Sequence, residues 1–167
     1  DVYKRQVGGG AYLYASELNM NSGEIKNNQA AVKGGGIYID APAWHDKTAV
    51  CTLLGGTVSG NTAAAGKGSD GIYQDGTLNI GEKVSVDKNN DVYLPSGKII
   101  DTIRPLENIN RTNFVSITSE DCAIEEEEQP GTRLVRYHAE AGGEEAAVAA
   151  EENQLSVSYT HLTLPTK

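Results

Sequence analysis

Asp40 and Asp75 each stand two residues after a tyrosine in matching short motifs, GGGIYID and SDGIYQD. If the two motifs lie side by side, the chain holds two carboxylates together, and paired acids are what a glycosidase or a calcium-assisted lyase uses. Both aspartates fall at the ends of predicted strands, where Asp commonly caps a turn. A lyase also needs a Lys or Arg base beside its acids, and no neighbouring repeat supplies one at a matching position. The turn-capping reading is therefore preferred, and no catalytic residue is assigned.

Other side chains suit binding better than reaction. Tyr12, Tyr38, Tyr73 and Tyr93 occupy one position in four motifs, flanked mostly by apolar residues such as Ile37 and Ile39. Strand alternation sends the flanking residues inward and the rings outward. A column of rings can stack on sugar faces, or it can simply stabilise its own sheet; the second reading is preferred. The insertion APAWHDKTAV, Ala41 to Val50, carries the only Trp of the chain. Trp44, His45 and Asp46 on a protruding loop are candidate ligand contacts, although Trp44 is expected to fold back as a lid. Tyr12, Tyr38 and Tyr73 complete the candidate ligand-binding set.

Several motifs carry less. GKGSDGIY, Gly66 to Tyr73, fits the calcium-binding nonapeptide of β-rolls, but that site needs adjacent copies and only one occurs. Asn28, Asn61 and Asn89 close the same block in three repeats, where stacked amides can satisfy turn backbone. Cys51 and Cys122 are too few and too far apart for a zinc site or a disulfide framework. Both are expected free or buried, with a single bridge as the alternative. No Ser/His/Asp triad, metal cluster or phosphate loop stands out, so no metal and no cofactor is assigned.

The elements that must position these residues are repeated ones. GGGAYLY (Gly8 to Tyr14) returns as GGGIYID (Gly34 to Asp40), SDGIYQD (Ser69 to Asp75) and NDVYL (Asn90 to Leu94), with tyrosine spacings of 26, 35 and 20 residues. LNMNSGEIKNNQA (Leu18 to Ala30) aligns without gaps on CTLLGGTVSGNTA (Cys51 to Ala63). LNIGEKVSVDKNN (Leu78 to Asn90) follows with an expected one-residue deletion, which matches Met20 and Ile25 to Leu53 and Val58, then to Ile80 and Val84. A unit of this size with three short strands cannot bury its own apolar side, but it can do so stacked on a copy of itself. Phe occurs once against 19 glycines, which suits a thin, repetitive core of small aliphatic side chains. The Gly runs allow positive φ and close approach between repeats.

GGGxY followed by L-x-M/L-x-x-G-x-I/V-x-x-N-x-A resembles the coils of right-handed parallel β-helix proteins on bacterial surfaces. These are adhesin-like proteins, distantly similar to the Gly-Gly-Ala repeats of polymorphic outer-membrane proteins. The resemblance covers residues 7–102. It implies an all-β fold of the pectin lyase-like kind, a β-solenoid fragment with an extracellular or cell-surface location. The asparagine series is similar to the internal ladder of pectate-lyase-type helices. The expected function is a non-catalytic structural or adhesion segment, a rigid scaffold displaying loops, whose partners are a glycan or a host or cell-surface protein, and neighbouring coils of the same parent chain. The alternative is a carbohydrate-active β-helix protein, a polysaccharide lyase or hydrolase whose active site is weak or lies outside this fragment.

After residue 102, KIIDTIRPLENI, NFVSIT and GTRLVRY read as less regular strands continuing or closing the stack over 103–138. Residues 139–155 form an acidic, low-complexity tail. Residues 7–119 hold 11 acids against 9 bases, whereas residues 120–152 hold 11 acids against Arg133 and Arg136. Such an acidic end repels phosphate backbones, so no nucleic-acid partner is expected. No apolar run approaches the roughly 18 residues that span a bilayer.

The termini read as translated flanking DNA. One spelling of Asp1 to Gln6, GAT GTG TAT AAG AGA CAG, has a reverse complement that encodes Val157 to His161 in another phase. Residues 1–6 and 156–167 resemble transposon-end adapter sequence used in preparing DNA for sequencing. They are set aside as scars, and 7–155 is expected to be a stretch of a longer natural frame.

Overall fold

The computed structural model of the chain describes residues 7–44, 46–64, 70–87, 89–102, 115–120 and 135–137. Among the described residues there are strands and no helix. Every ladder between them is parallel.

The first repeat supplies β1 (Ala11–Leu13), β2 (Glu17–Met20), β3 (Glu24–Lys26) and β4 (Gln29–Ala30). The second supplies β5 (Ile37–Ile39), β6 (Val50–Ser59) and β7 (Thr62–Ala63), and the third β8 (Ile72–Gln74) and β9 (Thr77–Val86). Then come β10 (Val92–Leu94), β11 (Ile100–Thr102), β12 (Ile117–Ser119) and β13 (Val135–Tyr137). They pair in chain order across three sheets: β1-β5-β8-β10-β12, then β2-β6-β9-β11-β13 with β3 also on β6, and finally β4-β7. Each strand therefore lies on its equivalent one repeat away, and the chain visits the other sheets in between.

Burial follows the alternation. Ile37 and Ile39 are fully buried while Tyr38 between them faces outward, as expected from the sequence. In register across the first sheet, Ile37 meets Ile72, Ile72 meets Val92, and Val92 meets Ile117. In the second sheet Met20 meets Leu53 and Leu53 meets Ile80. Each buried aliphatic side chain contributes about 1.5–3 kcal/mol, and in register it lies on its counterparts in the repeats on either side.

Backbone proximity explains the Gly runs. Gly34 has φ of +63°, a left-handed value that side chains resist. A Cβ on the next residue, Gly35, would lie 2.4 Å from the Asp70 carbonyl and 2.5 Å from that of Thr62. In the third repeat Asp70 itself takes the Gly35 place, and its Oδ1 accepts the Ala63 N–H at 2.7 Å. This aspartate of the GKGSDGIY motif is engaged with backbone; residues 65–69 lie outside the described residues.

The expected deletion in the third repeat is corrected. Leu53 pairs with Ile80, but Gly55 pairs with Lys83 and Val58 with Val86, with a register shift between Leu53 and Gly55. The third repeat has gained a residue there, a β-bulge. Val86 is therefore the equivalent of Val58, and Val84 lies beside Gly56. Both valines are buried, so alternation alone does not separate the two alignments.

Beyond residue 102 the strands extend the same sheets. β12 lies parallel on β10, and the backbone of β13 lies parallel on β11. The expected terminal scars, the acidic tail, Cys122 and His45 lie outside the described residues.

Candidate functional site

The outward residues of the first sheet make an aromatic strip. Register places Tyr12 beside Tyr38, Tyr38 beside Tyr73, and Tyr73 beside Tyr93. Tyr38 and Tyr73 stack at 5.1 Å between ring centroids with planes 2° apart, and Tyr73 and Tyr93 at 5.3 Å and 16°. Tyr73 is consequently only 7% exposed despite facing outward. Lys33 completes its cover, with Nζ 4.1 Å from the ring centroid and donating to the Tyr73 hydroxyl at 2.8 Å.

Carboxylates line the strip. The Tyr12 hydroxyl donates to Asp40 Oδ2 at 2.6 Å, and the Tyr93 hydroxyl donates to Glu120 Oε1 at 2.5 Å. The hydrogen bond to Asp40, with burial and the carboxylate charge adding to it, pushes the Tyr12 phenol up to about 12. Burial, reinforced by Asp40 and Asp75, pushes Tyr38 up to about 12. Burial first and then Glu120 hold Tyr93 well above its ordinary value. At neutral pH these rings are uncharged donors and apolar faces, a surface suited to binding.

Asp75 has a partner that sequence spacing did not reveal. Lys98 Nζ lies 3.1 Å from Asp75 Oδ1 and also donates to the Asp75 carbonyl. A base therefore does lie beside one of the two acids, although it does not come from a matching position of a neighbouring repeat. Lys98 comes from the turn after β10, where no motif position marks it.

Trp44 is 77% exposed. It does not fold onto the core as a lid; its ring rests on Tyr14, 5.7 Å away and tilted 44°. Tyr14 in turn lies 6.4 Å from Tyr12. The loop thus prolongs the aromatic strip past its first tyrosine. Tyr14 was legible, since it follows Tyr12 by two residues and so shares its face. Asp46 is exposed on the same loop.

The asparagine series runs along a different corner. Asn61 Oδ1 accepts both the backbone N–H and Nδ2 of Asn28 at 3.0 Å. Asn90 Oδ1 accepts both the backbone N–H and Nδ2 of Asn61 at 2.7 Å. The third member is therefore Asn90, not Asn89, because the third repeat gains one residue at the bulge and a second between Val86 and Asn90. Asn89 is exposed, and its carbonyl accepts from Asn90 Nδ2.

Two buried polar groups stand apart. Cys51 is a free thiol, and burial pushes it up to about 12, which leaves it inert as a nucleophile. Gln74 takes the inward place that Ile39 holds one repeat earlier. Its Nε2 donates to the Ile99 carbonyl at 2.6 Å, while its buried Oε1 has no partner. Among the described residues no three of His, Cys, Asp and Glu converge as metal ligands, and no helix is long and apolar enough to cross a membrane. No family model, curated protein or solved structure matches this chain.

Proposed function

We propose that this chain is a segment of a right-handed parallel β-helix and serves as a non-catalytic scaffold in a secreted or cell-surface bacterial protein of the adhesin-like kind. One observation carries the reading: equivalent strands of successive repeats lie parallel and in register, so that Tyr12, Tyr38 and Tyr73 form one column. The right hand follows from the chirality of parallel crossovers, right-handed in about 98% of cases. Backbone ladders, tyrosine column and asparagine ladder all run along the stack and stiffen it. The loop between β5 and β6 stands out from its side, where a glycan or a host or cell-surface protein is met. Flanking coils of a parent chain are its other partners.

A second reading draws on the Asp75–Lys98 contact. An acid with a base beside it is the minimum of a carbohydrate-active site on this kind of scaffold. One assay separates the two. The purified chain is incubated with uronate-rich and neutral polysaccharides, and new reducing ends and unsaturated products are measured. No release is expected. Turnover abolished by Asp75→Asn or Lys98→Met would overturn the scaffold reading in favour of the enzyme.

A further inference from the structure

The aromatic strip changes character along its length. Tyr38, Tyr73 and Tyr93 cover one another face to face. Toward the first repeat that order breaks: Tyr12 is tilted 49° on Tyr38, Tyr14 is tilted 40° to Tyr12, and Trp44 44° to Tyr14. Tilting leaves ring surface open to solvent, and Tyr12 is 47% exposed.

Asp40 stands among these open rings. Its N–H donates to the Leu13 carbonyl at 2.9 Å, which sets it across from Tyr14, just past the end of β1. Its Oδ2 is oriented by the Tyr12 hydroxyl. Aromatic faces attract positive charge through their quadrupole, and a carboxylate adds to that attraction. The strip already holds one cation of its own, the Lys33 ammonium over Tyr73. The phenol proton of Tyr12 is committed to Asp40, so the open end offers a ligand ring faces and negative charge but no hydroxyl donor from Tyr12, which suits a cation rather than an anion. A quaternary ammonium is also weakly hydrated and gives up little on a half-open surface. The net charge of −9 draws cations toward the chain.

We propose that Trp44, Tyr14, Tyr12 and Asp40 form a binding site for a small ligand bearing a quaternary ammonium group, of the choline class. This inference rests on the scaffold reading only for the presentation of the loop. A neutral sugar laid on the same rings is the rival, since it needs the faces but not the charge.

Trp44 is the only tryptophan, so its fluorescence reports on the site directly. Titration of the full chain with choline is expected to give a saturable change. The uncharged analogue in which carbon replaces the nitrogen should give none over the same range. Asp40→Asn is expected to weaken choline binding about fivefold, the loss of one charge contact at a solvated surface. Tetramethylammonium should compete with choline on the unmodified chain, a measurement that needs no variant to fold. Equal responses to choline and its uncharged analogue would overturn the proposal, as would a saturable response to neutral oligosaccharides alone. Loss of the response with β-sheet circular dichroism and cooperative melting intact would remove the site and leave the scaffold reading standing.

Discussion

The rings of Tyr38 and Tyr73 lie 5.1 Å apart with planes 2° from parallel, although 35 residues separate them in the chain. Stacking this close between residues so distant requires two backbones held in register at the spacing of one ladder. The same register sets Ile37 on Ile72 beneath them. One relationship thus ties the outward strip to the inward core.

Val58 is fully buried between Ile25 of the preceding repeat and Val86 of the next. Val58→Asp puts an unpaired charge into that thin core and should destabilise by about 3 kcal/mol or more. Leu54→Asp, four residues away but 42% exposed, should stay within about 0.5 kcal/mol. Urea unfolding of both variants checks the contrast. Equal midpoints would refute the inward assignment of Val58.

Asn61 bonds to both neighbouring repeats at once. Asn61→Ala strips the Asn28 donors of their acceptor and removes the donor to the Ile25 carbonyl. Buried groups left unmatched should cost about 2–3 kcal/mol. Asn28→Ala, at the partly exposed end of the ladder, should cost about 1 kcal/mol. The two unfolding free energies should keep that order if the ladder is a shared support.

Gly35→Ala sets a methyl group 2.4 Å from a carbonyl of the next repeat, so the two repeats must part. We expect a loss of about 3 kcal/mol, the upper range of overpacking. At Gly97, with φ of +74° and nothing within 4 Å of an added Cβ, only backbone strain of about 1 kcal/mol applies. Melting temperatures of the two alanine variants test whether crowding or conformation dominates.

Tyr12 and Tyr38 have phenols raised from the ordinary 10 to about 12. Above pH 10 the unfolded chain releases protons that the folded chain keeps, so stability falls as pH rises from 10 to about 12. Below pH 10 both states are protonated and the contribution is fully present. Tyr38→Phe should flatten the fall in melting temperature across that window relative to the parent. An unchanged slope would mean that Tyr38 titrates like a free phenol.

Gln74→Leu replaces a buried amide whose oxygen has no partner with the kind of side chain found one repeat earlier. The variant loses a hydrogen bond to the Ile99 carbonyl, which is itself only partly buried, and a long one of 3.5 Å to the Gly76 carbonyl. We expect it to match or exceed the parent in stability, by up to about 1 kcal/mol. A loss of several kcal/mol would show that the amide organises the turn before β11.

Much of this architecture is written in the chain itself. Apolar alternation and the recurring GGGxY and Asn motifs are enough to set Ile37 inward, Tyr38 outward and the four tyrosines in one column, because strand periodicity is a local property. What the chain leaves open is settled between repeats. Val84 and Val86 both suit the core by alternation, and only the bulge opposite Leu54 makes Val86 the partner of Val58. A second added residue, between Val86 and the corner, moves the asparagine ladder to Asn90. Trp44 and Lys98 have no equivalents in other repeats, so no periodic signal foretells that one lies on Tyr14 and the other beside Asp75. Those placements depend on which surfaces neighbouring repeats bring together, and that is decided only when the sheets form.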